Sequence, residues 1–239
     1  MAIGYWATAI GYDPARVLEL ISALPNTVVI RGNVDRFVTT GERPYPSFED
    51  TRENPDLIPK LAEVAGSFGW TQGYLAARGW LDWLHNLPGE HRLTLPDGTC
   101  VLLTHASPGV DDGSGLNPAL SHDDVQAKIA NCDVDLICVG HFHLAMTRRL
   151  NGVHMVNPGS VSNNFPPDLR AGYAILTANK LGHEFQFHRV EYDHASAIEK
   201  TRRSGNPGAG YIIRFLEGDV RAGWLSRWDG TTYSPPISP

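Results

Sequence analysis

The sequence predicts an α/β protein built around an open sheet, and three short aliphatic runs carry that prediction. Thr27-Val28-Val29-Ile30 leads into Arg31-Gly32-Asn33-Val34-Asp35. Cys100-Val101-Leu102-Leu103-Thr104 leads into His105-Ala106-Ser107-Pro108, and Leu136-Ile137-Cys138-Val139 into Gly140-His141-Phe142-His143. Each run is short, rich in β-branched or aliphatic residues, and ends in glycine, proline or polar residues, as a buried strand does. Segments with helical spacing lie between them. In open α/β sheets ligands bind beyond the carboxyl ends of strands, so Asn33, His105, His141 and His143 are candidates for one rim.

The elements follow in order. Residues 14–24 read as a helix, with Val17, Leu18, Ile21 and Leu24 as its apolar stripe, Asp13 as N-cap and Pro14 at the first position. The polar, proline-rich segment 37–59 reads as a long surface loop. Residues 61–87 read as two helices interrupted by Gly66, Gly69 and Gly79, with Trp70, Tyr74, Trp80 and Trp83 as packing or entrance residues. Leu93-Thr94-Leu95 and the run at 100–104 flank Pro96-Asp97-Gly98-Thr99, a hairpin signal with Asp-Gly in the turn. A Gly/Asp loop at 108–117 precedes a helix at 121–131 capped by Ser121. Strands are expected at 147–150, 154–156, 173–177 and 184–192, and helices at 195–203 and 209–216. No linker divides the chain, so a single domain over 1–239 is expected.

Composition narrows the function classes. The 239 residues suffice for a substantial core, and 20 Lys+Arg against 26 Asp+Glu leave a net charge of −6. That balance argues against a broad nucleic-acid surface. No stretch approaches the roughly 20 apolar residues of a membrane span, and no secretory signal is evident. Three cysteines, Cys100, Cys132 and Cys138, sit mostly in apolar contexts and match no zinc-finger spacing. They read as buried thiols of a reduced, cytoplasmic protein.

The chemistry concentrates at His141-x-His143. Two imidazoles one residue apart at the end of a buried strand can reach the same side of the backbone, and imidazole is a common transition-metal ligand. The alternative is a pair of ordinary loop histidines. Taken in order, Gly32-Asn33-x-Asp35, Thr104-His105, Gly140-His141-x-His143 and Asn157-Pro158-Gly159-Ser160 resemble the calcineurin-like metallophosphoesterases, in their compact bacterial branch. The likeness extends from the turn at Asp13 to Arg189-Val190-Glu191-Tyr192-Asp193. It implies a four-layer α/β/β/α metallophosphoesterase sandwich and a metal-dependent phosphoesterase acting on a small phosphoester or a phosphoprotein. It also implies two divalent transition metals (Mn, Fe or Zn), with Asn33, His105 and His141 on one and His143 on the other. Asn157-Pro158-Gly159-Ser160 then lies beside the metals, or is a plain tight turn. Arg170 offers its planar fork to a substrate phosphate, or closes its loop through a salt bridge. Asp35 is a helix cap or an acid that orients a ligand. His85, His91, His122, His154, His183, His188 and His194 match no ligand motif.

The sequence also departs from the family. Its opening Asp-x-His strand has no counterpart, and the Gly-Asp position falls near Gly4-Tyr5-Trp6, where no aspartate stands. The expected sandwich is therefore N-terminally incomplete, and the assigned ligands are all neutral. Two divalent ions would bring four positive charges without a carboxylate, so at most one metal and impaired activity are expected. Val34 stands where many relatives place a proton-donating histidine. Three readings follow: a hydrolase, a non-catalytic protein that binds a ligand or partner on the same scaffold, and a sequence lacking its true start. The third is favoured, because the downstream histidines and glycine turns are intact.

Overall fold

The computed structural model describes residues 2–6, 11–43, 45–220 and 223–238; Pro44, within the segment read as a loop, lies outside the described residues. The chain forms two compact units, Met1–Leu87 with Asp193–Leu216, and Pro88–Tyr192 with Glu217–Pro239.

The first unit opens with strand β1 (Ala2–Trp6), unforeseen in the sequence, which pairs in parallel with β2 (Thr27–Arg31). Between them runs helix α1 (Pro14–Ser22), whose first turn is capped as expected: the Asp13 carboxylate accepts from the Arg16 N–H at 3.1 Å. The buried line of α1 is Pro14, Ala15, Leu18 and Ile21, whereas Val17 and Leu24 are exposed. The apolar stripe is thus rotated from the one predicted.

The segment 37–59 is not a loop. Helix α2 (Asn33–Thr40) buries Phe37 and Val38 and stops at Gly41, whose φ of +80° gives a left-handed cap. Helix α3 (Phe48–Glu53) starts on a Ser47–Asp50 capping box, and a 3-10 turn (Pro55–Leu57) leads into α4 (Ile58–Ala76). Short helices whose outward faces are polar resemble loop composition, and the Ser-x-x-Asp box was the overlooked signal. Gly66 and Gly69 lie inside α4 without breaking it, and the break before α5 (Leu81–His85) comes at Gly79, φ +74°. Leu18, Phe37, Val38, Val64, Phe68, Leu75 and Leu84 form this unit's core, with Trp80 and Trp83 packed against it.

The second unit begins with β3 (Glu90–Thr94) and β4 (Cys100–Thr104), the expected antiparallel hairpin around Gly98. Helix α6 (His122–Ile129) is capped by Ser121. Strands β5 (Leu136–Cys138), β6 (Ala145–Leu150) and β7 (Val153–Pro158) complete a sheet of order β3-β4-β5-β7-β6, in which β4, β5 and β7 are parallel. Leu102, Ile137 and Met155 stand in one row across it and pack with Val125 and Ile129 of α6. The neighbouring rows face the other way. There His154 meets Phe185 of a second sheet, ring centroids 6.0 Å apart. That sheet contains β8 (Ala171–Asn179) and β9 (Gly182–Val190). Helices α7 (His194–Arg203) and α8 (Ala209–Leu216) return to the first unit, and the chain then re-enters the second through a 3-10 turn (Gly223–Arg227) and β10 (Ile237–Ser238) beside β9. Helix, sheet and sheet are thus three successive layers of the second unit.

The cysteines are more varied than predicted. Cys138 is buried, and burial pushes its thiol up to about 12, while Cys100 is exposed at the start of β4. Among the described residues no helix is long and apolar enough to cross a membrane.

Candidate metal centre

Because β4, β5 and β7 run parallel, their carboxyl ends share one edge of the sheet, where His105, the Gly140–His143 turn and Asn157 all emerge. The Gly140 N–H donates to the His105 carbonyl at 2.8 Å, tying the first two together. Asn157, fully buried, ties in the third: its amide nitrogen donates to the Gly140 carbonyl, and its oxygen accepts from the Gly159 N–H at 2.8 Å.

His105 and His141 meet edge to face, ring centroids 5.2 Å apart. His105 is buried, and burial, with the nearby rings of His141 and His143, holds its pKa down to about 3. His143 is half-buried; burial is again the main cause of a pKa near 4, and the Asn163 backbone hydrogen-bonds its ring. Both imidazoles therefore keep a lone pair at neutral pH. The His141 Nε2 lies 2.8 Å from the Gly113 carbonyl. A carbonyl only accepts, so Nε2 is the donor in this contact, and Nδ1 is the nitrogen that the neutral ring offers as a lone pair.

This loop is strained. His141 and His143 adopt φ of +67° and +60°, the left-handed region that side chains disfavour by about 1–2 kcal/mol each. Residues held in such conformations gather at functional sites, where the surrounding structure enforces them. Gly115, at φ +55°, lies against the pair: a Cβ there would stand 3.2 Å from the His141 ring and 3.1 Å from the Ala106 carbonyl. The Gly/Asp loop at 108–117, read from the sequence only as a connection, thus seats His141.

Of the predicted site residues, the structure brings His105 and His141 together and sets His143 on the same turn. Asn33 opens α2 in the first unit. Asp35 is a cap, its carboxylate accepting from the Gly32 N–H at 2.8 Å. Arg170 is engaged by Asp168, with contacts of 2.9 and 2.8 Å, the loop-closing alternative. The donor chemistry suits a transition metal, yet among the described residues no group of three or more His, Cys, Asp or Glu side chains is placed to hold one. The set fits a single cation incompletely and offers no carboxylate for a second.

Sequence reasoning overlooked Arg189. Its side chain is 6% exposed and lies over two glycines; a Cβ would stand 3.3 Å from the guanidinium at Gly159 and 2.3 Å from it at Gly172. At Gly159 the group that comes close is thus the Arg189 guanidinium. A cavity of about 430 Å³ opens beside it, lined by His143, Asn164, Asp168 and residues of the C-terminal segment.

The calcineurin-like phosphoesterase superfamily domain matches residues 12–181. Among solved structures, a metallophosphoesterase from Sphaerobacter thermophilus is 25% identical, with a TM-score of 0.63 over 88% of this chain and 84% of that one. A hypothetical protein from Pyrococcus horikoshii OT3 is 21% identical, with a TM-score of 0.69 over 90% of this chain and 82% of that one, a likeness of fold. No curated protein matches the chain.

Proposed function

The chain belongs to the calcineurin-like phosphoesterase superfamily, and from that membership we propose that it is a metal-dependent hydrolase of phosphomono- or phosphodiesters, acting as one domain in the cytoplasm. The observation that carries this reading is the pairing of His105 with His141 at the ends of adjacent parallel strands. His105 and His141 are the imidazole donors to the cation in this reading, Asn33 is the amide donor that the family pattern implies, and His143, which that pattern gives to a second ion, lies on the same turn as His141. A bound divalent ion (Mn, Fe or Zn) supplies a Lewis acid for phosphoryl oxygen. Burial holds His105 neutral, and the Gly113 carbonyl engages Nε2 of His141, so that His105 and the Nδ1 of His141 would be available as donors to such an ion. In the hydrolysis a water oxygen forms the new bond to phosphorus and releases a proton to solvent, the ester P–O bond breaks, and the leaving oxygen takes up a proton from solvent. Val34 has none to give, which favours esters whose leaving group departs without help.

A second reading, a non-catalytic member that binds a small phosphoester or a phosphoprotein, is favoured by one observation: the described residues gather no third carboxylate, thiolate or imidazole around the pair. Manganese titration with elemental analysis, followed by hydrolysis of a chromogenic phosphodiester, separates the two. The hydrolase reading expects at most one tightly held ion per chain and slow turnover that His141→Ala abolishes. Two tight ions overturn the single-cation assignment, and an ion bound without turnover selects the second reading.

A further inference from the structure

We propose that the cavity beside His143 receives the organic half of a small phosphoester, and that this half carries a neutral aromatic ring. The inference rests on the phosphoesterase reading and adds the substrate class. Its volume of about 430 Å³ lies within the roughly 300–1,000 Å³ of small-molecule sites. His143 stands in its wall, so the cavity adjoins the turn that carries His141 and His143, within reach of the alcohol portion of an ester held at the histidines.

The lining defines that portion. Much of the lining is apolar, and the C-terminal segment contributes Leu225, Trp228, Pro235 and Ile237 to it. The indole N–H of Trp228 donates to the Thr232 carbonyl at 2.9 Å, which tethers the ring. The polar part of the lining carries Arg189, Asp168 and Asp229, two carboxylates against one guanidinium. Asp168 is held by Arg170, and Asp229 accepts from the Thr231 and Thr232 N–H groups at 2.8 and 2.7 Å. With Arg170 paired to Asp168, two carboxylates and two guanidiniums balance, so a second phosphate would meet no surplus positive charge, which disfavours polyphosphates. Arg189, by contrast, makes long contacts among the described residues, 3.3 Å to the His188 carbonyl, 3.5 Å to that of Pro158 and 3.8 Å to Asp168. It retains donor capacity for a neutral oxygen on the ligand. A largely apolar lining with a tethered indole and one underused donor suits an aromatic group.

The test has one arm with phosphorus and one without. In the first, the full chain with manganese is titrated with benzylphosphonate and methylphosphonate. Benzylphosphonate should bind about tenfold tighter, and Trp228→Ala or Leu225→Ala should cut the preference to below about threefold. In the second, benzyl alcohol should shift the Trp228 indole and Ile237 methyl NMR signals. Equal binding of the two phosphonates, or unmoved Trp228 and Ile237 signals, overturns the inference while leaving the hydrolase reading to its own assay. If neither phosphonate binds but benzyl alcohol still shifts Trp228, the cavity takes an aromatic ring that is not part of a phosphoester and the inference is overturned, whereas failure of the hydrolase reading is read separately, as absent turnover of the chromogenic phosphodiester.

Discussion

The left-handed histidines allow a stability measurement that separates strain from chemistry. Replacing His141 or His143 by Ala or by Gly removes the same imidazole, so any difference between the two variants at one position reports on the backbone. At φ of +67° and +60°, a Cβ costs about 1–2 kcal/mol that glycine does not incur. Glycine's greater freedom in the unfolded chain returns roughly 0.5–1 kcal/mol of that advantage. The Gly variant should therefore be more stable than the Ala variant by about 1 kcal/mol at each position. For a chain of this length that is roughly 2–4 °C in melting temperature. Urea titration and thermal melting of the four variants read the difference, and manganese binding should fall equally in both members of each pair. Ala variants as stable as the Gly variants would refute the argument that the loop stores strain.

Three further outcomes follow from the same physical reasoning. Asp35→Ala removes the carboxylate that accepts from the Gly32 N–H in a fully buried setting, and urea unfolding should show a loss of about 1–3 kcal/mol. A loss below about 0.5 kcal/mol would contradict the capping role. Asn157→Ala leaves the Gly140 carbonyl and the Gly159 N–H without their amide partner, so manganese affinity should fall along with stability, although Asn157 is no ligand. The third concerns His154, which is buried between the sheets, bonded to Thr147 at 2.7 Å, and faced by Arg149 and by His183 with its partner Asp97. Burial first, then Arg149 and His183, hold it near pKa 4 against 6.5 in the unfolded chain. Between those values the unfolded chain binds more protons, so this contribution is complete above about pH 6.5 and is lost as pH falls towards 4. His154→Gln should flatten that part of the acid slope in urea midpoints; an unchanged slope counts against the assignment.

Much of this was legible in the sequence because it is local. The three aliphatic runs, the Asp97-Gly98 turn and the caps at Asp13 and Ser121 are signals confined to a few residues, and each appears where expected. The pairing of His105 with His141 was legible through the strand-end rule, since parallel strands bring their carboxyl ends to one edge. Other features depend on contacts between distant residues. Nothing near Gly172 reveals that Arg189 lies above it, and nothing near Gly115 reveals the ring of His141. The cavity wall is supplied by residues 225–237, a stretch whose composition reads as an ordinary tail. Helices α2 and α3 were missed because each buries few residues, and periodicity needs length to stand out.

Gly172 and Arg189 are direct partners across the β8–β9 ladder, and an added methyl at 172 would fall 2.3 Å from the guanidinium. Neither position can drift alone: alanine at 172 evicts the arginine, whereas a small residue at 189 frees the space. The two sites should show sign epistasis, with Gly172→Ala harmful on its own and tolerated once Arg189→Ser has been introduced.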